Sequence, residues 1–539
     1  MIHSISIVLP TATKQVVYDN SQPHKVSLSL EPFLSTELMF FDLEIKFTIP
    51  IAYYRSHDYQ WIKSDRDWVA NAFCPKIIKL NDGTLVQANV LEGLWEVHQK
   101  NKSVLLWRFN PQYAATITEY TNPSNDRVLR QVTPNFTNLP SLSLLFAKQN
   151  AIEFSRSKIP FSAIVCFTDH CDFDTAENLV LQRQFFKENN IKVTKGFFIN
   201  HFSKRTENAS YEHDAAELEL WRQDGHELCY HSLTQSLRSP AESRGEFFSF
   251  CPPFPDLTTW IDHGYQPYNF SLYAQHTMAN REYEANLKDK NIQNLWNYID
   301  SGTATQGVIN QLNPQHFTLG SFWKGAKGFG IYKKAQLMIK NIVFHFYGHP
   351  KILSQYRKVA GHFKKVVYQK DFGQLRALFK NGSALVYQLF KVFLLWNSTK
   401  NKPYPLAKYQ PVFFKHKLFE KEFCVFQTLE MVDFKKALCR ENIDVLIKEK
   451  GVCIAHTYFS VPLSYHRGKL FGTPTTIDPI VAQNFKGLSQ EIQNKSIWNP
   501  TLQEWVEYWK PAENIELDVD TNGKIYVILP TTIKFRTIN

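Results

Sequence analysis

Two regimes of hydrophobic patterning divide the chain. Up to about residue 150, short apolar runs, SISIVL, HKVSLSL, LEIKFTI, KSVLLWRF and ATITEY, are separated by Asn, Asp, Gly and Pro. Such runs predict strands, and Asn81-Asp82-Gly83 is a hairpin turn signal. Residues 1–155 read as a β-sandwich-like domain without a catalytic cluster. Its tryptophans, Trp61, Trp68, Trp95 and Trp107, suit a packed core more simply than a sugar-stacking surface.

From residue 160 the apolar runs alternate with polar, helix-like stretches, the pattern of a parallel sheet or barrel of βα units. There are seven runs: AIVCFTD (163–169), VTKGFFIN (193–200), HELCYHS (226–232), TTWIDHG (258–264), NLWNYID (294–300), FCVFQTL (423–429) and VCIAHTY (452–458). After the first, Thr175 is placed to cap a helix carrying Leu179, Leu181, Phe185 and Phe186 at helical spacing. The α/β segment divides into 156–320 and 421–485, with a helical insertion at 321–420 between the halves. Residues 486–539 add a helix (TLQEWVEYW) and a hairpin with a Thr-Asn-Gly turn.

The polar residues fall at the ends of these runs: Asp169 and His170, Asn200 and His201, His231, Asp262 and His263, Asp300, and His456. Barrels place their chemistry at the carboxyl edge of the strands, where the loops converge. So many strand ends in register point to a site rather than to loop tips.

Apolar residues are 44% and charged residues 21% of the 539, an ordinary globular balance. Charge changes the picture at one place. Lys324 to Lys417 holds 19 Lys or Arg against one acid, Asp371, and so carries +18 in a chain whose net charge is +11. Its stretches mix basic with apolar residues at helical spacing, which suits an anionic membrane surface. A helical subdomain with a solvated basic face is the alternative. No nucleic-acid motif accompanies the charge, and no nucleic-acid partner is expected. The eight cysteines form no CxxC pair or disulfide framework; Cys166, Cys229 and Cys453 read as small buried apolar residues. The start MIHSISIVLPTATKQ lacks the pattern of a signal peptide, and no run of 18 apolar residues appears. The expected location is cytoplasmic, peripheral on the inner face of the membrane.

Three strand ends gather candidate chemistry: CFTDHCDFDT (166–175), GHELCYHSLTQS (225–236) and GVCIAHTYF (451–459). Asp and His on adjacent strands can hold a divalent metal. A metal with an open position acidifies bound water and polarises a carbonyl, while nearby groups move the protons. GHELCYHSLT resembles the second motif of the polysaccharide deacetylase family (carbohydrate esterase family 4), G-H-E-[IL]-x-x-H-[ST]-x-x-H. FTDHCD resembles its first motif, T-F-D-D or the His-Asp variant, and IAHTYF resembles its last, an apolar strand ending in the general-acid histidine. YQPYNF (265–270) stands near the place of the arginine-proline motif, which is itself not evident.

This resemblance, over about 300 residues, implies a deformed (β/α)7 barrel with zinc or another divalent metal. It implies Asp169 as base, His456 as acid, His170 and His231 as metal ligands with Asp172, and Gln235 in the place of a second histidine. A second alignment makes Asp169 the metal carboxylate and leaves Thr168 where the base should stand. Asp174, His263, Asn269 and Asp300 are the candidate substrate-binding residues. The implied reaction is removal of an N-acyl group from a sugar, the carbohydrate substrate being lipid-linked given the basic insertion. A barrel that binds a glycan without cleaving it, and ester cleavage on the same scaffold, are the other readings.

Overall fold

The computed structural model describes residues 1–33, 41–109, 116–120, 127–131, 141–205, 207–275, 280–300, 309–409, 412–418, 420–463 and 467–539. Seven parallel strands close into a ring. In chain order they are Ala163–Asp169, Thr194–Phe197, Glu227–Tyr230, Thr259–Trp260, Asn294–Asp300, Lys421–Glu430 and Val452–Thr457. Each pairs with the next, and the seventh pairs back onto the first, Ile164 beside Val452 through Asp169 beside Thr457. The chain is therefore an α/β barrel protein, as the alternation of its apolar runs predicts. Strand Phe413–Leu418 runs antiparallel to the sixth strand, and Ile497–Trp498 adds beside the first.

Alternation along each strand sorts side chains between two layers. Ile164, Cys166, Cys229, Ile261, Trp296, Phe426 and Ile454 share an inner core. Ala163, Val165, Phe167, Leu228, Tyr230 and Ala455 belong to the outer core, against helices such as Ala176–Glu188 and Tyr211–Gln223. Thr175 caps the first of these helices in a full capping box. The cysteines on these strands are buried, and burial pushes the Cys166, Cys229 and Cys453 thiols up.

Helix Leu502–Trp509 seals the amino end of the ring. Leu502, Trp505 and Trp509 join the inner core. The Leu502 amide donates to Thr194 Oγ1 and the Gln503 amide to the buried Glu227 carboxylate, which also accepts from Thr194 and Thr259. A carboxylate at a helix amino terminus is favourably placed. The carboxyl ends of the strands gather at the opposite mouth.

Ahead of the barrel, antiparallel sheets of six and seven strands pack face to face. Ile5, Ile45 and Leu105 of one meet Val26, Ile78 and Leu144 of the other, and Trp68, Trp95 and Trp107 are buried there. Arg156 ties this sandwich to the barrel by donating to the carbonyls of Phe73, His57 and Lys450. Among the described residues, no helix is long and apolar enough to cross a membrane.

Buried His226, at the start of the third strand, accepts from the Val193 amide through Nδ1, and burial pushes its pKa down to about 4. The unfolded chain binds a proton there below about pH 6.5 that the fold rejects. Stability is then present above that pH and lost as pH falls from 6.5 towards 4, by about 3 kcal/mol for this residue. Urea unfolding across that window should show His226→Gln with the shallower pH slope. Equal slopes in the two proteins would rule the assignment out.

Candidate metal centre at the barrel mouth

Inner-facing register delivers four imidazoles to one place. His170 follows Cys166 and Thr168, His231 follows Cys229, His263 follows Ile261, and His456 follows Ile454, each at an inner position. The His170 ring stacks on His456 with centroids 3.8 Å apart and meets His231 edge-on at 4.6 Å. Trp296 from the fifth strand and Tyr458 wall the pair. Gly196 on the second strand makes room: a Cβ there would run into the Asp169 carbonyl and press on His231 Cβ.

Asp172, on the loop after the first strand, binds the histidines together. Its carboxylate lies 2.9 Å from His231 Nε2 and 2.9 Å from His263 Nδ1. His263 Nε2 donates to the Gln235 carbonyl at 2.7 Å. Burial opposes charge on His263, but Asp172 and the Gln235 carbonyl outweigh it and lift its pKa above the ordinary value. Burial alone would raise Asp172 too, yet His263 and His231 hold its carboxyl well below the usual range. Burial pushes His231 down, and burial with His456 and His231 pushes His170 well down. Both rings are thus neutral near pH 7 and carry lone pairs.

His170 Nε2 and His231 Nδ1 are buried with no hydrogen-bond partner. An orphaned buried nitrogen is costly. A metal ion held among the ligand atoms of His170, Asp172 and His231, which lie within 4.8 Å of one another, would satisfy the His170 nitrogen. Two neutral imidazoles and a carboxylate form a donor set suited to zinc and similar divalent ions.

Several expected site residues stand elsewhere. Asp169 takes the outer register, paired across the sheet with Lys195 of the second strand. Its carboxylate accepts from Lys195, and its Oδ1 from the Thr457 hydroxyl and the Phe459 amide. The expectation of Asp169 as the base is corrected: one step along a strand separates it from His170 and turns it to the opposite face. Asp174 belongs to the same outer cluster, bonded to Lys195 and Gln182, and is not at the mouth. Burial alone would depress Lys195; Asp169 and Asp174 together outweigh it and hold the ammonium above its ordinary range. Thr168, the alternative base position, faces inward with its hydroxyl donating to the Ala455 carbonyl.

Gln235 does not offer its side chain as a ligand. Its amide oxygen accepts from Ser203 and Ser236, and its contact with the cluster is through its backbone carbonyl. Asn269 shapes the loop under His263, donating to the carbonyls of His263 and Gly264 and accepting from Ser232. Asp262 anchors the same loop by accepting from the Phe270 and Ser271 amides. The Asp300 side chain lies outside the described residues. Lys195 and Gly196 go unremarked in the sequence reading, although a lysine inside the apolar run VTKGFF is a signal that a buried acid awaits it.

No family model matches the chain, and no curated protein does either. Solved structures similar to it include a glycoside hydrolase family 97 enzyme from Pseudoalteromonas sp., 11% identical over 56% of this chain and 58% of that one, with a TM-score of 0.22. A glycoside hydrolase family 97 enzyme in complex with acarbose matches at 11% over 56% and 59%, TM-score 0.22. A xylosidase from Aspergillus niger matches at 12% over 54% and 39%, TM-score 0.18. The chain spans less than two thirds of the length of each, and likeness at this level carries no argument about the site. The closed ring and its mouth define the class instead: an α/β barrel whose carboxyl edge holds a His-Asp-His cluster able to bind a metal ion.

Proposed function

We propose that the barrel is a metal-dependent hydrolase that removes an N-acyl, acetyl-type group from a sugar. The observation that carries this is the convergence of His170, Asp172 and His231 within 4.8 Å, with His456 stacked on His170. The motif likeness around GHELCYHSLT and IAHTYF supports the substrate class, and the basic helical segment favours a lipid-linked form of it. His170, His231 and Asp172 would hold the ion, zinc by its donor set, which when bound supplies a polarising charge and an acidified water. His263 fixes Asp172 from behind. His456 is the proton carrier: it takes the proton as the water oxygen bonds to the acyl carbon, and gives it to the departing amine as the C–N bond breaks. One group thus does the work that two would share if Asp169 faced the mouth.

A second reading is favoured by one observation. Asp169, the expected base, is held on the outer face by Lys195, so the barrel would bind an acetylated glycan without cleaving it.

Metal analysis of the full-length protein, with acetate release from an N-acetylated chito-oligosaccharide, separates the two. The hydrolase releases acetate, loses activity to a chelator and regains it with zinc. His456→Gln should keep the metal and lower kcat by about a hundredfold or more. Activity indifferent to chelation would end the metal-dependent reading, and tight glycan binding without acetate release would establish the binder.

A further inference from the structure

Helices Pro350–Tyr368 and Leu375–Leu394 form an antiparallel hairpin, held where Gln355 donates to the Asn381 carbonyl and His362 meets Gln374. Among its described residues, only Leu385 and Val392 are buried. Leu389 packs against the barrel's outer core and Tyr356 against Phe344, but other apolar side chains of the hairpin are exposed. Phe379 is 73% exposed, Val386 62% and Phe390 57%. With Leu375 and Phe393 they fall within about 60° of one another around the helix, at 3.6 residues per turn. Phe363 and Val367 of the first helix and Phe372 in the turn are exposed as well.

Charge selects the occupant of this face. Residues 350–394 carry nine Lys or Arg and one acid, Asp371. Asp371 is spent capping the turn, where it accepts from the Gly373 amide. Arg376 lies beside the stripe on its own helix, with Lys380 and Lys391 further round the same side. A second copy of this chain would bring like charge against like charge. A nucleic acid would satisfy the lysines but leave Leu375, Val367 and Val386 against water. A bilayer satisfies both, because apolar side chains enter the headgroup–acyl boundary while lysines meet phosphates.

We infer that this hairpin docks the protein on a membrane surface carrying anionic lipid. The inference rests on the hairpin surface alone, so failure of the hydrolase reading leaves it standing. The test is sedimentation of the full-length protein with vesicles of phosphatidylcholine, and of phosphatidylcholine mixed with phosphatidylglycerol. Binding is expected only to the mixed vesicles and is expected to weaken in high salt. Phe379→Glu with Phe390→Glu, and separately Lys364→Glu with Lys365→Glu, should each weaken it about tenfold or more. Both sites are outside the cores, so metal content and melting temperature should hold, which shows that the fold is intact. No binding to the mixed vesicles overturns the inference, as does binding unaffected by both variants. A concentration-dependent dimer abolished by the phenylalanine variant would assign the face to a second copy instead. Tight RNA binding without vesicle binding would assign it to nucleic acid.

Discussion

Replacing His231 with Ala should lower the metal affinity of the full-length protein by more than about a hundredfold while leaving it folded. Removing even a supporting contact around a metal costs about ten- to a hundredfold in affinity, and His231 is placed to be a ligand itself. It also holds Asp172 in position through its Nε2, so its loss weakens two donors. Asp172→Asn should act in the same direction, because the amide keeps the shape and gives up the charge. Equilibrium dialysis against zinc, beside a circular dichroism melt, measures both effects. Full occupancy in both variants would remove the cluster from consideration as a metal centre.

Lys195→Met should be the most damaging single change to stability. The ammonium is fully buried and serves Asp169, Asp174 and Gln182. Without it two carboxylates face each other in the outer layer, and breaking a buried ion pair from one side costs about 3–5 kcal/mol. The loss should depend on pH. Burial already raises Asp169 to about 6 in the intact protein. Without the ammonium its folded pKa rises further. A carboxyl whose folded pKa exceeds its unfolded value loses stability as pH rises between the two. Denaturant unfolding should therefore show a larger deficit at pH 8 than at pH 5. Adding Asp169→Asn to the variant should recover part of it. A deficit that ignores pH would show that Lys195 acts by packing alone.

The fold class is legible because its signals are local. The barrel strands are short runs dominated by apolar and aromatic residues, as expected for strands buried on both faces, and most of the runs end in polar residues at one edge. The fourth is legible only as a run: Thr259–Trp260 is all that pairs, because Asp262 draws the chain into the loop at Phe270 and Ser271. At the mouth, His170, His231, His263 and His456 stand out in sequence as strand-end imidazoles. The direction of Asp169 does not. Adjacent positions 169 and 170 must take opposite faces, and nothing local says which goes inward. That is settled by register with the second strand, where Lys195, 26 residues on, claims the carboxylate. Gln235 is hidden for a similar reason: its partners Ser203 and Ser236 lie on loops whose meeting depends on the finished ring.

Closure of that ring has a consequence for how the protein is made. Thr168 reaches the carbonyl of a residue 287 positions later, so the first strand must wait for the seventh to be translated. Until then its free edge is a template for pairing with other nascent chains. Synthesis that stalls before residue 452 should yield aggregates or degradation products rather than a smaller working protein.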